Sequence, residues 1–189
     1  YFLIGDRPTT WNQAPMMRQY GFDVTRFRDD WDCSEWLGHK GMPSDGSFLR
    51  QAAAKMERGE LWPVGETAFV ETVTYSSHFP FQIPASFVTL DLKADYPDRL
   101  DDYIEVIGYV DRSLGDYIDY LRGRPDADST MIVVVGDHEA LASMRDGMRR
   151  HSAAIAALVD AEPYVPMIVI NSPVAGRRAD VMGQVDVYS

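Results

Sequence analysis

Short apolar runs alternate with longer amphipathic stretches along this chain. Tyr1-Phe2-Leu3-Ile4 is the first run, closed by Gly5. The second, Ala68 to Tyr75, is rich in β-branched and aromatic residues. Met131 to Val135, closed by Gly136, is the third, and Pro166 to Ile170 the fourth. Each run predicts a strand. A run apolar at every position, such as Met131 to Val135, suits a strand buried on both faces of a parallel sheet.

Between the strands the period changes. Thr10 is placed to cap a short helix ending at Gly21, and Ser47 to cap a helix over Phe48 to Arg58 with Gly59 after its end. From Asp98 to Arg122, Leu100, Tyr103, Ile104, Ile107, Val110, Leu114, Tyr117, Ile118 and Leu121 form a 3.6-residue stripe, and Gly123 and Pro125 close it. Ser152 to Val159 reads as a short Ala-rich helix. Residues 23–43 read as an ordered, irregular excursion, and 140–150, with Gly147 and mixed charge, as a mobile segment. The alternation predicts an α/β fold with a mostly parallel sheet flanked by helices.

Composition narrows what such a fold can do. The chain has 189 residues, of which 46% are hydrophobic, and 18 Lys and Arg against 29 Asp and Glu leave a net charge of −11. That balance excludes a broad basic footprint for nucleic acid or for an anionic membrane surface. Cys33 is the only cysteine, so no intrachain disulfide forms and no cysteine zinc cluster exists. No run reaches the roughly 18 apolar residues of a membrane helix. There is no Gly-rich phosphate loop and no Gly-x-Ser-x-Gly elbow.

Ligands of open α/β sheets sit beyond the carboxyl ends of strands, so the residues after each run carry the candidate chemistry. Gly136 permits a sharp turn, after which Asp137 offers carboxylate oxygen and His138 imidazole nitrogen, a pair suited to Zn²⁺ or Mn²⁺. The tetrapeptide also reads as a helix cap followed by an ordinary polar histidine. His78 precedes Phe79-Pro80-Phe81, a loop stiffened by proline, and is either held over a pocket or stacked in a structural turn. Asp6 and Trp11 either hold a polyol by hydrogen bonding and stacking, or cap a turn and fill core. His39 and His151 read as solvent-exposed, and Cys33 as an inert thiol.

Taken in order, Gly5-Asp6, Trp11-Asn12, Gly21-Phe22-Asp23, Ser77-His78-Phe79-Pro80-Phe81, the helix from Tyr103 to Ile118, Met131 to His138, and Gly183-Gln184-Val185-Asp186-Val187 resemble the lipoteichoic acid synthase branch of the alkaline phosphatase and sulfatase superfamily. The resemblance implies an extracytoplasmic, membrane-anchored parent enzyme that moves glycerol phosphate from a lipid donor at a divalent metal. Mn²⁺ is the ion of that branch, with Zn²⁺, Mg²⁺ and Ca²⁺ as alternatives. By motif, Asp137 and His138 match metal ligands, His78 the histidine on the substrate phosphate, and Asp6 and Trp11 the glycerol phosphate pocket. The implied mechanism is covalent: a metal-activated hydroxyl attacks phosphorus, and a water or acceptor alcohol then attacks the phospho-enzyme. The nucleophile, a Thr, Ser or formylglycine, is expected upstream of Tyr1. The 189 residues therefore look like the C-terminal portion of one sulfatase-like catalytic domain, incomplete without the rest of the parent. Two positions depart from the branch: Gln13 stands where it has an arginine, and Ile4 where it has a histidine. These leave a phosphoethanolamine transferase, a sulfatase-like hydrolase and a non-catalytic binding module as alternatives.

Overall fold

A computed structural model of the chain describes residues 1–35, 41–90, 92, 99–139, 142–159, 165–174 and 176. They divide into two compact units, one of residues 1–94 and 101–126, the other of residues 95–100 and 127–189. His39 and the stretch from Gly183 to Val187 lie outside the described residues.

The first unit is built around β1 (Phe2–Ile4), which pairs in parallel with β2 (Thr25–Arg26) on one side and β3 (Glu71–Val73) on the other. All three residues of β1 are buried. Its side chains alternate between faces, as the pleat requires. Phe2 and Ile4 pack with Met17 and Phe27. Leu3 packs with Trp31, Phe48, Leu49, Ala52, Met56, Leu61 and Tyr117. Each such fully buried side chain contributes on the order of 1.5–3 kcal/mol over an exposed one. Met17 lies on α1 (Gln13–Gln19), whose chain exits through Gly21 at φ +90°, a left-handed geometry that glycine adopts without steric cost.

The second face of β1 is covered by α2 (Asp45–Glu57). The helix begins earlier than Ser47: Ser44 is the N-cap, and its Oγ accepts from the Ser47 N–H at 3.4 Å. Gly59, at φ +71°, follows the helix end as expected. α3 (Leu100–Arg122) buries Leu100, Val110 and Tyr117 of the predicted stripe together with Val106 and Tyr109 beside it, while Ile107, expected on the stripe, is exposed. Two of its tyrosines tie it to α2, Tyr120 donating to the Ala53 carbonyl at 3.1 Å and Tyr117 to the Met56 sulfur at 3.7 Å. The irregular stretch from Asp23 holds β2 and a turn of 3₁₀ helix over Arg28–Asp30, and Trp31 donates from its indole to the Ile4 carbonyl at 3.0 Å.

The second unit corrects two expectations. β4 (Ile132–Val135) pairs with β5 (Met167–Ile170), and the pairing is antiparallel, Ile132 opposite Ile170 and Val135 opposite Met167. The run Met131 to Val135 is thus not a strand buried on both faces. Val133 and Val135 are exposed and alternate with half-buried neighbours. Most of the segment read as mobile is α4 (Ala142–His151), which buries Met144, and α5 (Ala153–Val159) follows, with the Ser152 Oγ accepting from the Ile155 N–H at 3.1 Å. His151 is exposed, as predicted. Among the described residues no helix is long and apolar enough to cross a membrane.

Candidate functional site

The parallel arrangement of β1 and β3 brings their carboxyl ends to one edge of the first unit. Gly5 follows β1 because an added Cβ would lie 3.1 Å from the Pro43 ring. Asp6 then turns inward and is 6% exposed. Its carboxylate accepts from the Arg7 N–H at 2.6 Å and from the Thr10 hydroxyl at 3.1 Å. Thr10 therefore serves Asp6, not a helix cap. Trp11 is 67% exposed and holds φ +49°, a costly conformation for a bulky residue. It does not fill core, and its indole is presented at the surface close in sequence to Asp6. Gln13 is buried, and its Oε1 finds no hydrogen-bond partner among the described residues. Ile4 is wholly buried in the apolar cluster of β1, so its departure from the branch is a packing residue.

His78 follows β3 in a turn closed by its own N–H donating to the Tyr75 carbonyl at 3.0 Å. The imidazole is exposed and stacks on the Tyr75 ring, centroids 4.9 Å apart and planes 13° from parallel. Its Nδ1 lies 2.8 Å from the Phe79 carbonyl oxygen. A carbonyl can only accept, so that contact requires a proton on Nδ1. Burial, and then the negative charge of Asp6, push the Tyr75 phenol above its usual range. Asp6 and the ring that carries His78 are thus in electrostatic reach of each other.

The foundation of this edge escaped sequence reasoning. Asp45, in the first turn of α2, is almost wholly buried. Its carboxylate accepts from the backbone N–H groups of Tyr75 at 2.8 Å and Ser76 at 3.0 Å, while its own N–H donates to the Ser76 Oγ at 2.9 Å. Burial outweighs these bonds and pushes its carboxyl up to about 6. Beside it, the Tyr109 hydroxyl donates to the Ser44 Oγ and accepts from the Gly46 N–H, both at 2.9 Å. A Cβ on Gly46 would stand 2.7 Å from that hydroxyl, so only glycine fits. The available signal was Pro43-Ser44-Asp45-Gly46, a turn and cap sequence ahead of an apolar run.

In the second unit, Gly136 ends β4 where a Cβ would meet the Val165 Cβ at 3.0 Å. Asp137 and His138 project beyond the strand with side chains 88% and 66% exposed. The His138 Nε2 and Asp137 Oδ2 are 3.7 Å apart, and the His138 Nδ1 is 2.7 Å from the Glu139 carbonyl oxygen. Two ligands of one tetrahedral ion, each about 2.1 Å from it, stand about 3.4 Å apart. The observed 3.7 Å is about 0.3 Å wider than that spacing, and the Glu139 carbonyl on Nδ1 is the kind of contact that would orient the imidazole toward an ion. Among the described residues no group of three or more His, Cys, Asp or Glu side chains gathers to hold a metal. Cys33 is half-buried, and burial pushes its thiol up, as suits an unreactive group.

Comparison with known proteins supplies the wider context. The chain is 25% identical over 193 residues to the lipoteichoic acid synthase-like YvgJ of Bacillus subtilis, covering 95% of this chain and 30% of that protein. It is 26% identical over 143 residues to the lipoteichoic acid synthase of Staphylococcus aureus, covering 72% of this chain and 20% of that one. The chain therefore spans less than a third of the length of these curated relatives. The lipoteichoic acid synthase LtaP of Listeria monocytogenes superposes with a TM-score of 0.72 at 22% identity, over 89% of this chain and 42% of that one. An alkaline phosphatase superfamily protein of Vibrio parahaemolyticus gives 0.65 at 20% identity, over 93% of this chain and 39% of that one. The fold is accordingly the α/β fold of the alkaline phosphatase superfamily, present in part. A family model described as sulfatase matches residues 3–188, nearly end to end, and the chain belongs to the sulfatase family.

Proposed function

We propose that this chain is the C-terminal portion of a sulfatase-like catalytic domain whose parent is a metal-dependent phosphoglycerol transferase. The parent acts on lipid-linked glycerol phosphate at the extracytoplasmic face of the membrane. The observation that carries this reading is the Asp137–His138 pair, whose 3.7 Å separation at a strand end suits one divalent ion. The lipoteichoic acid synthases among its relatives supply the substrate class. Asp137 and His138 hold the ion, Mn²⁺ first among the candidates. Bound there, such an ion neutralises charge on phosphoryl oxygens and activates a hydroxyl. In its imidazolium form, with Nδ1–H on the Phe79 carbonyl, His78 donates from Nε2–H to the substrate phosphate oxygens or passes that proton to a leaving alcohol. Asp6 offers carboxylate oxygen and Trp11 an exposed indole face to the glycerol moiety. The nucleophile belongs to the rest of the parent domain.

Gln13 favours a second reading. It is a buried amide with its oxygen unpartnered among the described residues, the resemblance to the phosphoglycerol branch implies an arginine there, and an ester with a different head group, or a sulfate ester, is the alternative substrate. Both readings are tested on the full-length parent with Mn²⁺, using phosphatidylglycerol, an aryl phosphodiester and an aryl sulfate. Phosphodiester turnover that depends on Mn²⁺ and falls at least about a hundredfold in His138→Ala supports the first. Turnover of the aryl sulfate alone supports the second. A parent that turns over none of the three, with or without metal, sinks both.

A further inference from the structure

The bonds between α2 and the end of β3 have a function beyond holding the fold. We infer that Asp45 is a positioning residue for His78, acting through the backbone of Tyr75 and Ser76; this rests on the proposed role of His78. The geometry is specific. One carboxylate grips two consecutive N–H groups, Tyr75 and Ser76, at 2.8 and 3.0 Å, and the Ser76 hydroxyl returns a bond to the Asp45 N–H at 2.9 Å. The three bonds fix the peptide planes immediately before the His78 turn. Tyr75 then transmits that placement twice, through its carbonyl, which closes the turn at 3.0 Å, and through its ring, which stacks on the imidazole at 4.9 Å.

The other end of the lever is equally rigid. Asp45 is flanked by the Ser44–Tyr109–Gly46 bonds, which anchor the start of α2 to α3. Three secondary-structure elements therefore converge on a carboxylate whose bonds end two residues before His78. A buried carboxylate that serves only to stop an orphan N–H could be replaced by many arrangements. One that grips two successive amides at the root of a functional turn fixes the turn's direction as well. The groups that set its protonation are neutral, the backbone N–H groups of Tyr75 and Ser76 and the Ser76 hydroxyl.

The inference is tested by a double-mutant cycle in the full-length parent, with Mn²⁺ and an aryl phosphodiester as the probe. Asp45→Asn keeps the size of the side chain but offers an N–H₂ where one amide needs an acceptor. It is expected to lower kcat/KM about 10–100-fold, as loss of an orienting partner does. Placed on His78→Ala, the same substitution is expected to change kcat/KM by less than about threefold, because the group it positions is gone. Equal losses in both backgrounds would show a purely structural role and overturn the inference, as would an unchanged kcat/KM in Asp45→Asn. Should Asp45→Asn not fold, Ser76→Ala removes one of the three bonds and runs the same cycle, with an expected loss of about 2–10-fold. If His78→Ala alone leaves turnover intact in an active parent, the role of His78 is refuted, and the positioning role with it. If the parent has no turnover, the proposed function itself fails.

Discussion

Two strand ends in this chain share one pattern and lead opposite lives. Leu3-Ile4-Gly5-Asp6 and Val134-Val135-Gly136-Asp137 are each an apolar run, a glycine and an aspartate. Both glycines are required by a close neighbour, Pro43 in the first case and Val165 in the second. Yet Asp6 is 6% exposed and turned onto Arg7 and Thr10, whereas the Asp137 side chain is 88% exposed beside His138. The strands differ in the same sense: β1 is buried on both faces, whereas β4 alternates half-buried and exposed positions. A local pattern thus fixes where a carboxylate leaves a strand, and the surroundings decide whether it is spent on a turn or offered to a ligand.

The comparison can be broken most decisively in the cores. Phe2→Ala is expected to cost about 3–5 kcal/mol in denaturant unfolding of the full-length protein, while Val133→Ala, on the exposed face of β4, costs about 1 kcal/mol or less. Equal losses would mean that β4 is as deeply packed as β1. Next comes pH. The Asp45 carboxyl stands at about 6 in the folded chain against 3.8 unfolded, so the folded state holds its proton more tightly. Its contribution is fully present below about pH 4 and is lost as pH rises through 6, a decline of about 3 kcal/mol. Asp45→Asn should flatten that slope, and unfolding followed from pH 4 to 7 measures it.

The third contrast is functional. Asp137→Asn should reduce metal-dependent turnover of the parent about a hundredfold and weaken Mn²⁺ binding in calorimetry. Asp6→Asn should leave Mn²⁺ affinity unchanged and cost about 1 kcal/mol of stability through its turn bonds. A loss of Mn²⁺ affinity in Asp6→Asn would erase the distinction. Smallest, Gly5→Ala and Gly136→Ala should each cost about 0.5–1 kcal/mol, because the facing side chain has to give by only a few tenths of an ångström, read from the same unfolding curves.

Much of the scaffold was legible because it is written in local periods. β1 is apolar throughout, and α3 carries an unbroken 3.6-residue stripe. β2 was invisible, being two polar residues, Thr25 and Arg26, that become a strand only by pairing with β1. β4 was located but its partner was not, since an apolar run does not say whether its neighbour runs parallel. α4 was not legible as a helix behind Gly147 and its mixed charge, yet Met144 gives it a buried side. Among the candidate residues, Asp6, His78, Asp137 and His138 follow strands and could be singled out by position. Asp45 could not. A first-turn aspartate normally faces solvent, and its partners lie 30 and 31 residues away.

The tie beneath His78 also contrasts with the one beside Asp137 and His138 in its response to dissolved salt. Asp45 is held by neutral dipoles alone, whereas Glu139 is held by the Arg145 guanidinium at 2.8 Å, with both side chains partly open to water. Mobile ions screen exposed charges over about 8–10 Å and barely act on buried hydrogen bonds. Rising ionic strength should therefore loosen the ground next to Asp137 and His138 while leaving the His78 turn untouched.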